Sequence, residues 1–207
     1  MKTMWLRRTH KKELSSAITR SQRLLAEGRH EENLEHLEGG VVQRFPDDAE
    51  IRLLYGTALL EREPRVGLSE IAKAIKLDPD DPIRLTRAAR IMYDMKQFDH
   101  ARSYMKHAKE LAPKKFVFSS ELLNLESNLA ILDGEDEVGE EGLRLAMERE
   151  PEMEVLAWDL TKFLVDRARE DEALTVIEEA MERTKTTNAL KRLKAEILDK
   201  SGGGNGD

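Results

Sequence analysis

The sequence predicts an all-α fold of stacked helical hairpins, and three observations lead to this prediction. The 207 residues are rich in Ala, Leu, Glu, Lys and Arg, with only 5% aromatic residues. This composition favours helix over sheet, because these side chains lose little rotamer freedom in a helix. Prolines follow apolar, helix-periodic segments at nearly constant intervals, and a turn-like segment lies about halfway through each interval. The predicted unit is therefore helix, turn, helix and proline stop.

The intervals are set by four of the six prolines, which are 33, 34 and 38 residues apart: Pro46, Pro79, Pro113 and Pro151. A proline ends a helix because it lacks an amide proton and clashes with the preceding turn. In IKLDPDDP, residues 75–82, Pro79 is predicted to stop one helix. Asp81 and Pro82 are predicted to be the cap and the first residue of the next helix.

The segment MKQFDHARSYMKHAKELAP, residues 95–113, resembles the second helix of a tetratricopeptide repeat, and a period of about 34 residues with two helices fits that family. Phe98 matches the aromatic residue after the turn, and Pro113 matches the terminator. Ala101 and Ala108 match the small residues that let two helices approach closely. The other copies show the series Gly28, Asn33, Leu37, Gly40 and Pro46; Gly67, Ile71, Ala74 and Pro79; Gly134, Gly139, Leu143, Ala146 and Pro151; and Ala168, Ala173, Ile177 and Ala180.

This resemblance implies a right-handed α-solenoid of about five hairpins with a C-terminal capping helix. We expect a basic N-terminal extension, or the start of the first helix, at residues 1–12. The array is expected at 13–185, the capping helix at 186–200 and a disordered tail at 201–207. Its repeats are expected at about 14–47, 48–81, 82–119, 120–153 and 154–185.

Two segments depart from the regular pattern. The long interval after Pro113 leaves extra residues around Phe116–Phe118, which either lengthen the next helix, with Ser119-Ser120 inside it, or form a loop before a serine cap. The turn Asp133–Glu141 begins a stretch, residues 133–154, with a net charge of −8. It is either a solvated turn that stabilises a helix N-terminus or a patch for a basic partner.

The composition also excludes several functions. The chain has no cysteine, so thiolate chemistry and disulfides are absent. Its net charge of −7 argues against nucleic acid as a partner. No histidine pair, phosphate loop or carboxylate pair forms a catalytic pattern, so we expect no enzymatic activity, no cofactor and no metal site. We expect a cytoplasmic protein, because no apolar run approaches the ~18 residues of a membrane span.

The N-terminal segment MWLRRTHKK allows two interpretations. Met4, Trp5 and Leu6 either insert into an anionic membrane surface or cover the exposed face of the first repeat. One short apolar cluster binds a membrane weakly, so we expect the second arrangement and no membrane contact.

The resemblance also implies a ligand-binding surface, because the first helices of tetratricopeptide repeats line a concave groove that commonly receives a peptide or helix of another protein. Asn124 and Asn128 would hold the backbone of an extended peptide through their amides. Alternatively, these residues are simply exposed and Trp158 packs between helices. By alignment, the groove-facing residues are Gln22, Thr57, Thr86, Arg90, Tyr93, Asn124, Asn128, Trp158 and Lys162.

The charged and aromatic members of this set indicate the ligand. Arg90 and Lys162 would favour a carboxylate, and Tyr93 or Trp158 would supply an apolar anchor. A clamp for a C-terminal dicarboxylate, as in chaperone adaptors of the family, is not expected. At its positions the chain has Ile18, Gln22, Ile83 and Arg87, of which Arg87 alone matches.

The sequence thus predicts a non-catalytic scaffold or adaptor that binds a peptide or helix of a partner protein. The alternative is a structural subunit that assembles with itself or with a larger complex. That assembly would use terminal or convex surfaces, including Phe116, Phe118 and the capping helices.

Overall fold

The structure, a computed structural model, describes residues 2–111, 119–183 and 188–202. Within these ranges the chain forms helices joined by short turns and no strands, which confirms the all-α prediction. The chain divides into two compact units, residues 1–111 and 112–207. Pro113 and Phe116–Phe118, which the sequence singled out, lie outside the described residues.

The first unit contains seven helices in its described part, of which α4 and α5 form one hairpin and α6 and α7 form another. A wide π-helical turn, Leu37–Val41, joins α2 to α3. The core of this unit includes Ile51, Leu54 and Leu85, which are fully buried. The helices are α1 (Lys2–Ala26), α2 (His30–His36), α3 (Val42–Arg44), α4 (Ala49–Leu59), α5 (Pro64–Leu77), α6 (Pro82–Asp94) and α7 (Phe98–Leu111).

The basic N-terminal residues continue the first helix, since α1 begins at Lys2. This is one of the two arrangements expected from the sequence for residues 1–12. The predicted covering of the first repeat by Met4, Trp5 and Leu6 concerns side chains that lie outside the description.

In the described part of the second unit, α8 pairs with α9, α10 pairs with α11, and α12 packs on both α10 and α11. Leu190, Leu193 and Ile197 of α12 are buried in the core of this unit with Leu160 and Ile177. The apolar side of the predicted capping helix therefore faces the protein. The helices are α8 (Ser120–Leu132), α9 (Asp136–Arg149), α10 (Glu154–Asp166), α11 (Glu170–Arg183) and α12 (Asn188–Gly202).

Side-chain caps begin several of these helices. Asp81 accepts hydrogen bonds from the backbone N–H groups of Ile83 (2.9 Å) and Arg84 (3.2 Å), and Pro82 opens α6, which confirms the prediction for this joint. Ser119 caps α8 by accepting from the N–H of Leu122 (3.3 Å). Of the two alternatives for Ser119, the structure therefore shows the cap.

The crossing points of the hairpins carry small residues, as the repeat pattern predicts. Gly56 and Gly67 meet where α4 crosses α5, and Ala101 and Ala173 are fully buried on α7 and α11. A β-carbon on either of the two glycines would lie 2.7 Å from the carbonyl oxygen of the other. The two backbones can approach this closely because neither residue has a side chain.

The first repeat differs from the pattern in its second helix. Gly40 aligns with the second small residue of the other repeats, which lies inside a continuous helix in each of them. Here Gly40 has φ 114°, within the π-helical turn that separates α2 from α3. The reason is the pair Gly39-Gly40, because glycine adopts non-helical backbone angles without a steric penalty.

Candidate ligand-binding faces of the first helices

The nine predicted groove residues all lie on the first helices of the repeats, which are α1, α4 and α6 in the first unit and α8 and α10 in the second. We describe them as two sets, one in each unit. The unit 1 face comprises Gln22, Thr57, Thr86, Arg90 and Tyr93. The unit 2 face comprises Asn124, Asn128, Trp158 and Lys162.

A half-buried carboxylate joins the three first helices of unit 1. Glu50 of α4 accepts hydrogen bonds from Arg87 Nη1 of α6 (2.6 Å) and from Gln22 Nε2 of α1 (3.2 Å). The Glu50 side chain is only 18% exposed. Gln22 and Arg87 occupy two of the clamp positions, so a carboxylate of the chain itself lies between them. This arrangement holds the three helices in register through charge-assisted hydrogen bonds.

Arg90 and Tyr93 form a half-buried cationic and aromatic surface on α6. The Arg90 guanidinium lies 5.8 Å from the centre of the Tyr93 ring, and its Nε donates to Asp94 Oδ1 at 3.2 Å. The Tyr93 ring in turn packs against Phe98, with ring centres 5.6 Å apart. The phenyl ring of the next helix therefore fixes the orientation of this surface.

The two threonines of unit 1 use their hydroxyl groups within their own helices. Thr57 Oγ1 donates to the carbonyl of Leu53, and Thr86 Oγ1 donates to the carbonyl of Pro82, each at 2.8 Å. Thr86 is buried, whereas Thr57 is half-buried. Both hydroxyl protons are thus already engaged by the helix backbone.

In unit 2 the two asparagines are buried rather than exposed, with 1% of Asn124 and 8% of Asn128 accessible. Asn128 Nδ2 donates to Asp159 Oδ2 of α10 (3.0 Å) and to Asn124 Oδ1 (3.3 Å). The Asn128 amide therefore links α8 to α10. The backbone-holding role predicted for these amides stays a prediction.

Trp158 and Lys162 lie one turn apart on α10, the helix that carries Asp159. Trp158 is half-buried and packs against the core of unit 2, which is the contact that the alternative interpretation expected of it. Part of its ring system stays accessible, as does part of Lys162. Unit 2 therefore presents an aromatic and a cationic side chain together.

Sequence reasoning missed two acidic residues of these faces, Glu50 and Asp159. Glu50 precedes Arg87 by 37 residues, and Asp159 follows Asn128 by 31 residues. Both separations are close to one repeat length, so each pair joins equivalent surfaces of neighbouring first helices. An acid one repeat away from an arginine or an asparagine was the signal that could have identified them.

Two carboxylates outside the nine predicted residues have pKa values lowered by ion pairs. Burial raises the pKa of Glu70, hydrogen bonds from Lys73 (2.6 Å) and Arg52 (2.7 Å) lower it, and the net shift is downward. In unit 2, hydrogen bonds from Arg169 hold the pKa of Glu140 below its ordinary value. The pair of Arg52 and Glu70 connects α4 to α5, and the pair of Arg169 and Glu140 connects the residue before α11 to α9, which gives both pairs a structural role.

The described residues also bear on metal and membrane binding. Among them, no group of three or more His, Asp or Glu side chains is placed to hold a metal ion. None of the helices in the described ranges is long and apolar enough to cross a membrane.

Solved structures resemble this chain over most of its length. TTC0263, a thermophilic TPR protein of Thermus thermophilus, matches at a TM-score of 0.72 and 20% identity, over 89% of this chain and 98% of that one. A tetratricopeptide repeat protein of Parabacteroides merdae matches at 0.70 and 13% identity, over 91% and 72%. PilF of Pseudomonas aeruginosa matches at 0.66 and 13%, over 94% and 86%.

No family model matches the sequence, and the search of curated proteins gives no match. At identities of 20% and below, the structural likeness establishes a shared fold and leaves the ligand open.

Proposed function

We propose that this chain, which has the tetratricopeptide-repeat fold, is a non-catalytic scaffold or adaptor that binds a peptide or helix of a partner protein on the faces of its first helices. One observation carries the proposal. Side chains one repeat apart join neighbouring first helices, through Glu50 with Arg87 and through Asn128 with Asp159. Partly exposed cationic and aromatic side chains lie on the helices that carry Arg87 and Asp159.

These pairs matter for binding because they fix the first helices before a ligand arrives. Arg87 and Glu50 are largely shielded from solvent, at 30% and 18% side-chain exposure. Asn128 is buried. A face that is already ordered pays little conformational entropy on binding, so a flexible ligand bears most of the ordering cost.

The partly exposed side chains of the first helices indicate the class of ligand. Arg90 and Lys162 favour carboxylates, while Tyr93 and Trp158 offer flat apolar surfaces of the kind that anchors protein interfaces. The expected ligand is a peptide segment with acidic residues and at least one large apolar side chain. Asn128 acts by holding α8 to α10 through Asp159, and Asn124 accepts a second hydrogen bond from the same amide.

The absence of catalysis is part of the same proposal. Carboxylates with lowered pKa values, such as Glu70, Glu140 and Asp136, each accept hydrogen bonds from arginine or lysine. A carboxylate held ionised in this way is a poor general acid or base near neutral pH.

The test is a selection of peptides from a random displayed library by the purified chain. Peptides that bind are then measured against Arg90→Glu combined with Lys162→Glu. The matched control is Arg102→Glu combined with Arg183→Glu, on the second helices α7 and α11. These arginines also pair with an acid of their own helix, at 3.5 Å and 3.3 Å, as Arg90 does at 3.2 Å.

The proposal predicts that the first-helix variant weakens binding about tenfold or more, equivalent to about 1.4 kcal/mol, and that the control binds as the parent does. Equal binding by both variants would contradict it, as would a library that yields no binding peptide. Circular dichroism of each variant establishes that the helices are retained.

A further inference from the structure

A groove lies between α1 and the segment that follows the π-helical turn in unit 1. Its volume is about 400 Å³. Ala17, Val41 and Phe45 form its apolar floor. Lys12, Glu13, Ser16, Arg20, His36 and Arg44 surround them. We call it the α1–α3 groove.

The charge of this groove is opposite to that of the chain. Lys12, Arg20 and Arg44 face a single acidic residue, Glu13, whose carboxylate lies 3.8 Å from Arg44 Nη1. All four of these side chains are exposed. The α1–α3 groove is therefore a basic-rimmed apolar concavity on a protein with a net charge of −7.

Helix α9 in unit 2 carries the complementary surface, on which exposed apolar residues are surrounded by acidic ones. Val138 and Leu145 are 59% and 38% exposed, although they are large and apolar. They lie seven residues, or about 10 Å, apart on one side of the helix. Glu137, Glu141 and Glu148 are exposed around them. We call these five residues the outer face of α9.

The outer face of α9 is not needed for packing within its own unit. The opposite side of the helix makes those contacts, since Gly139, Leu143 and Ala146 are buried there. A helix of 14 residues with an apolar pair bordered by carboxylates has the pattern of a helix that docks in a groove.

We propose that the outer face of α9 in one copy of this chain docks in the α1–α3 groove of a second copy. Val138 and Leu145 would contact the floor at Val41, which is half-buried, whereas Ala17 and Phe45 lie deeper and are buried. The glutamates would meet Lys12, Arg20 and Arg44. The charge complementarity of the two surfaces, each of which combines apolar and charged residues, identifies the second copy as the occupant.

The geometry of such a contact has consequences for assembly. The two surfaces are different patches of one chain, so the contact is heterologous and propagates into a ring or an open chain. One helix face in one groove is a small interface, so the association is weak. Its charged rim makes it sensitive to ionic strength.

The experiment measures the mass of the full chain by light scattering at concentrations from about 10 µM to about 1 mM. It is repeated at about 20 mM and about 0.5 M NaCl, since screening separates the charged contact from others. We expect the mass to rise above 23.7 kDa with concentration at low salt and to return to it at high salt. A mass of 23.7 kDa under all these conditions would overturn the proposal.

Two variants then locate the contact. The variant Arg20→Glu with Arg44→Glu reverses the charge of the groove rim. The variant Val138→Lys with Glu141→Lys reverses the charge of the outer face of α9. Each variant alone is expected to stay monomeric, because one of its two surfaces is lost. Their equimolar mixture is expected to associate again, with a mass above that of the monomer, because each variant supplies the surface that the other lacks.

The control is Arg23→Glu, which changes an exposed charge of α1 outside the groove and leaves assembly unchanged. A mixture that stays monomeric, or a variant that assembles alone as the parent does, would contradict the pairing of these surfaces. Circular dichroism confirms that each variant retains its helices.

Discussion

Gly56 of α4 and Gly67 of α5 lie in backbone contact, since a β-carbon on either residue would be 2.7 Å from the carbonyl oxygen of the other. Carbonyl oxygens of the backbone cannot move aside as the end of a side chain can. The first described hairpin with two regular helices, α4 and α5, therefore depends on the absence of two side chains at its crossing point.

We predict that Gly56→Ala and Gly67→Ala each lower the free energy of unfolding by a net change of roughly 1–2 kcal/mol. Overpacking a core costs about 1–3 kcal/mol, and the higher helix propensity of alanine offsets about 1 kcal/mol of that cost. Urea denaturation measures the change. Gly39→Ala is the control, because its β-carbon would have nothing within 4 Å. Equal effects at Gly39 and Gly56 would contradict the close approach.

Two hairpin turns place an ordinary residue in the left-handed region. Lys96, between α6 and α7, has φ 58°, and Ala168, between α10 and α11, has φ 55°. At the equivalent place in the α8–α9 turn the chain has Gly134, with φ 84°. Left-handed geometry costs a residue with a β-carbon roughly 1–2 kcal/mol.

Lys96→Gly and Ala168→Gly are therefore expected to stabilise the protein by about 1 kcal/mol each, after the larger entropy of glycine in the unfolded chain is deducted. Thermal denaturation is the measurement. Gly134→Ala is the reciprocal variant and should destabilise. Loss of stability on either change to glycine would show that the turns do not have this conformation.

The hydrogen bond from Asn128 to Asp159 is expected to couple α8 and α10 energetically. In a double-mutant cycle with Asn128→Ala and Asp159→Ala, we expect a coupling energy of about 1–3 kcal/mol, as for a hydrogen bond to a charged group. Denaturation of the parent, the two single variants and the double variant gives this coupling energy. Strictly additive effects would mean that the two side chains do not interact.

Acid should weaken the ion pair of Glu140. Hydrogen bonds from Arg169, and then from Arg144, hold the pKa of Glu140 below the ordinary value of 4.5. The group thus binds a proton more readily in the unfolded chain. Its stabilising contribution is present above about pH 4.5 and is lost as the pH falls through the lowered pKa of the folded state.

Glu140→Gln is therefore expected to make the free energy of unfolding depend less steeply on pH in the acid range. Denaturation at a series of pH values measures the slope. Glu148→Gln is the comparison, because it removes an exposed carboxylate from the same helix. If Glu140→Gln and Glu148→Gln change the slope equally, Glu140 has no special role in acid stability.

The parts of the fold that were predictable from sequence are governed by local chemistry. Asp81 and Pro82 indicated the start of α6, because the N-cap side chain of Asp81 and the fixed φ of Pro82 both act within one turn of the helix. Gly67 was placed at a crossing because the position recurs at one repeat length. The regular period sufficed for these features, even though no single copy of the repeat was ideal.

Other features depend on contacts that the period does not encode. Asn124 and Asn128 were predicted to hold a ligand, and this stays a prediction. The period did not indicate that both are buried, or that Asp159 of the next first helix accepts a hydrogen bond from Asn128. Lys96 and Ala168 take left-handed angles without being glycine, because the turn and not the residue type sets the angle. Such effects arise only when neighbouring helices are in place.

The central claim, that a peptide binds on the faces of the first helices, is tested most directly at Trp158. The chain has two tryptophans, so Trp5→Phe leaves Trp158 as the sole indole fluorophore. A peptide chosen from the displayed library is titrated into this variant while emission is recorded. Calorimetry on the same pair gives an independent dissociation constant.

We predict that Trp158 emission changes and saturates with the calorimetric dissociation constant, and that Lys162→Glu, on the same helix, weakens both signals together. Calorimetric binding with unchanged Trp158 emission, and with the same affinity in Lys162→Glu and in Arg90→Glu, would contradict the account.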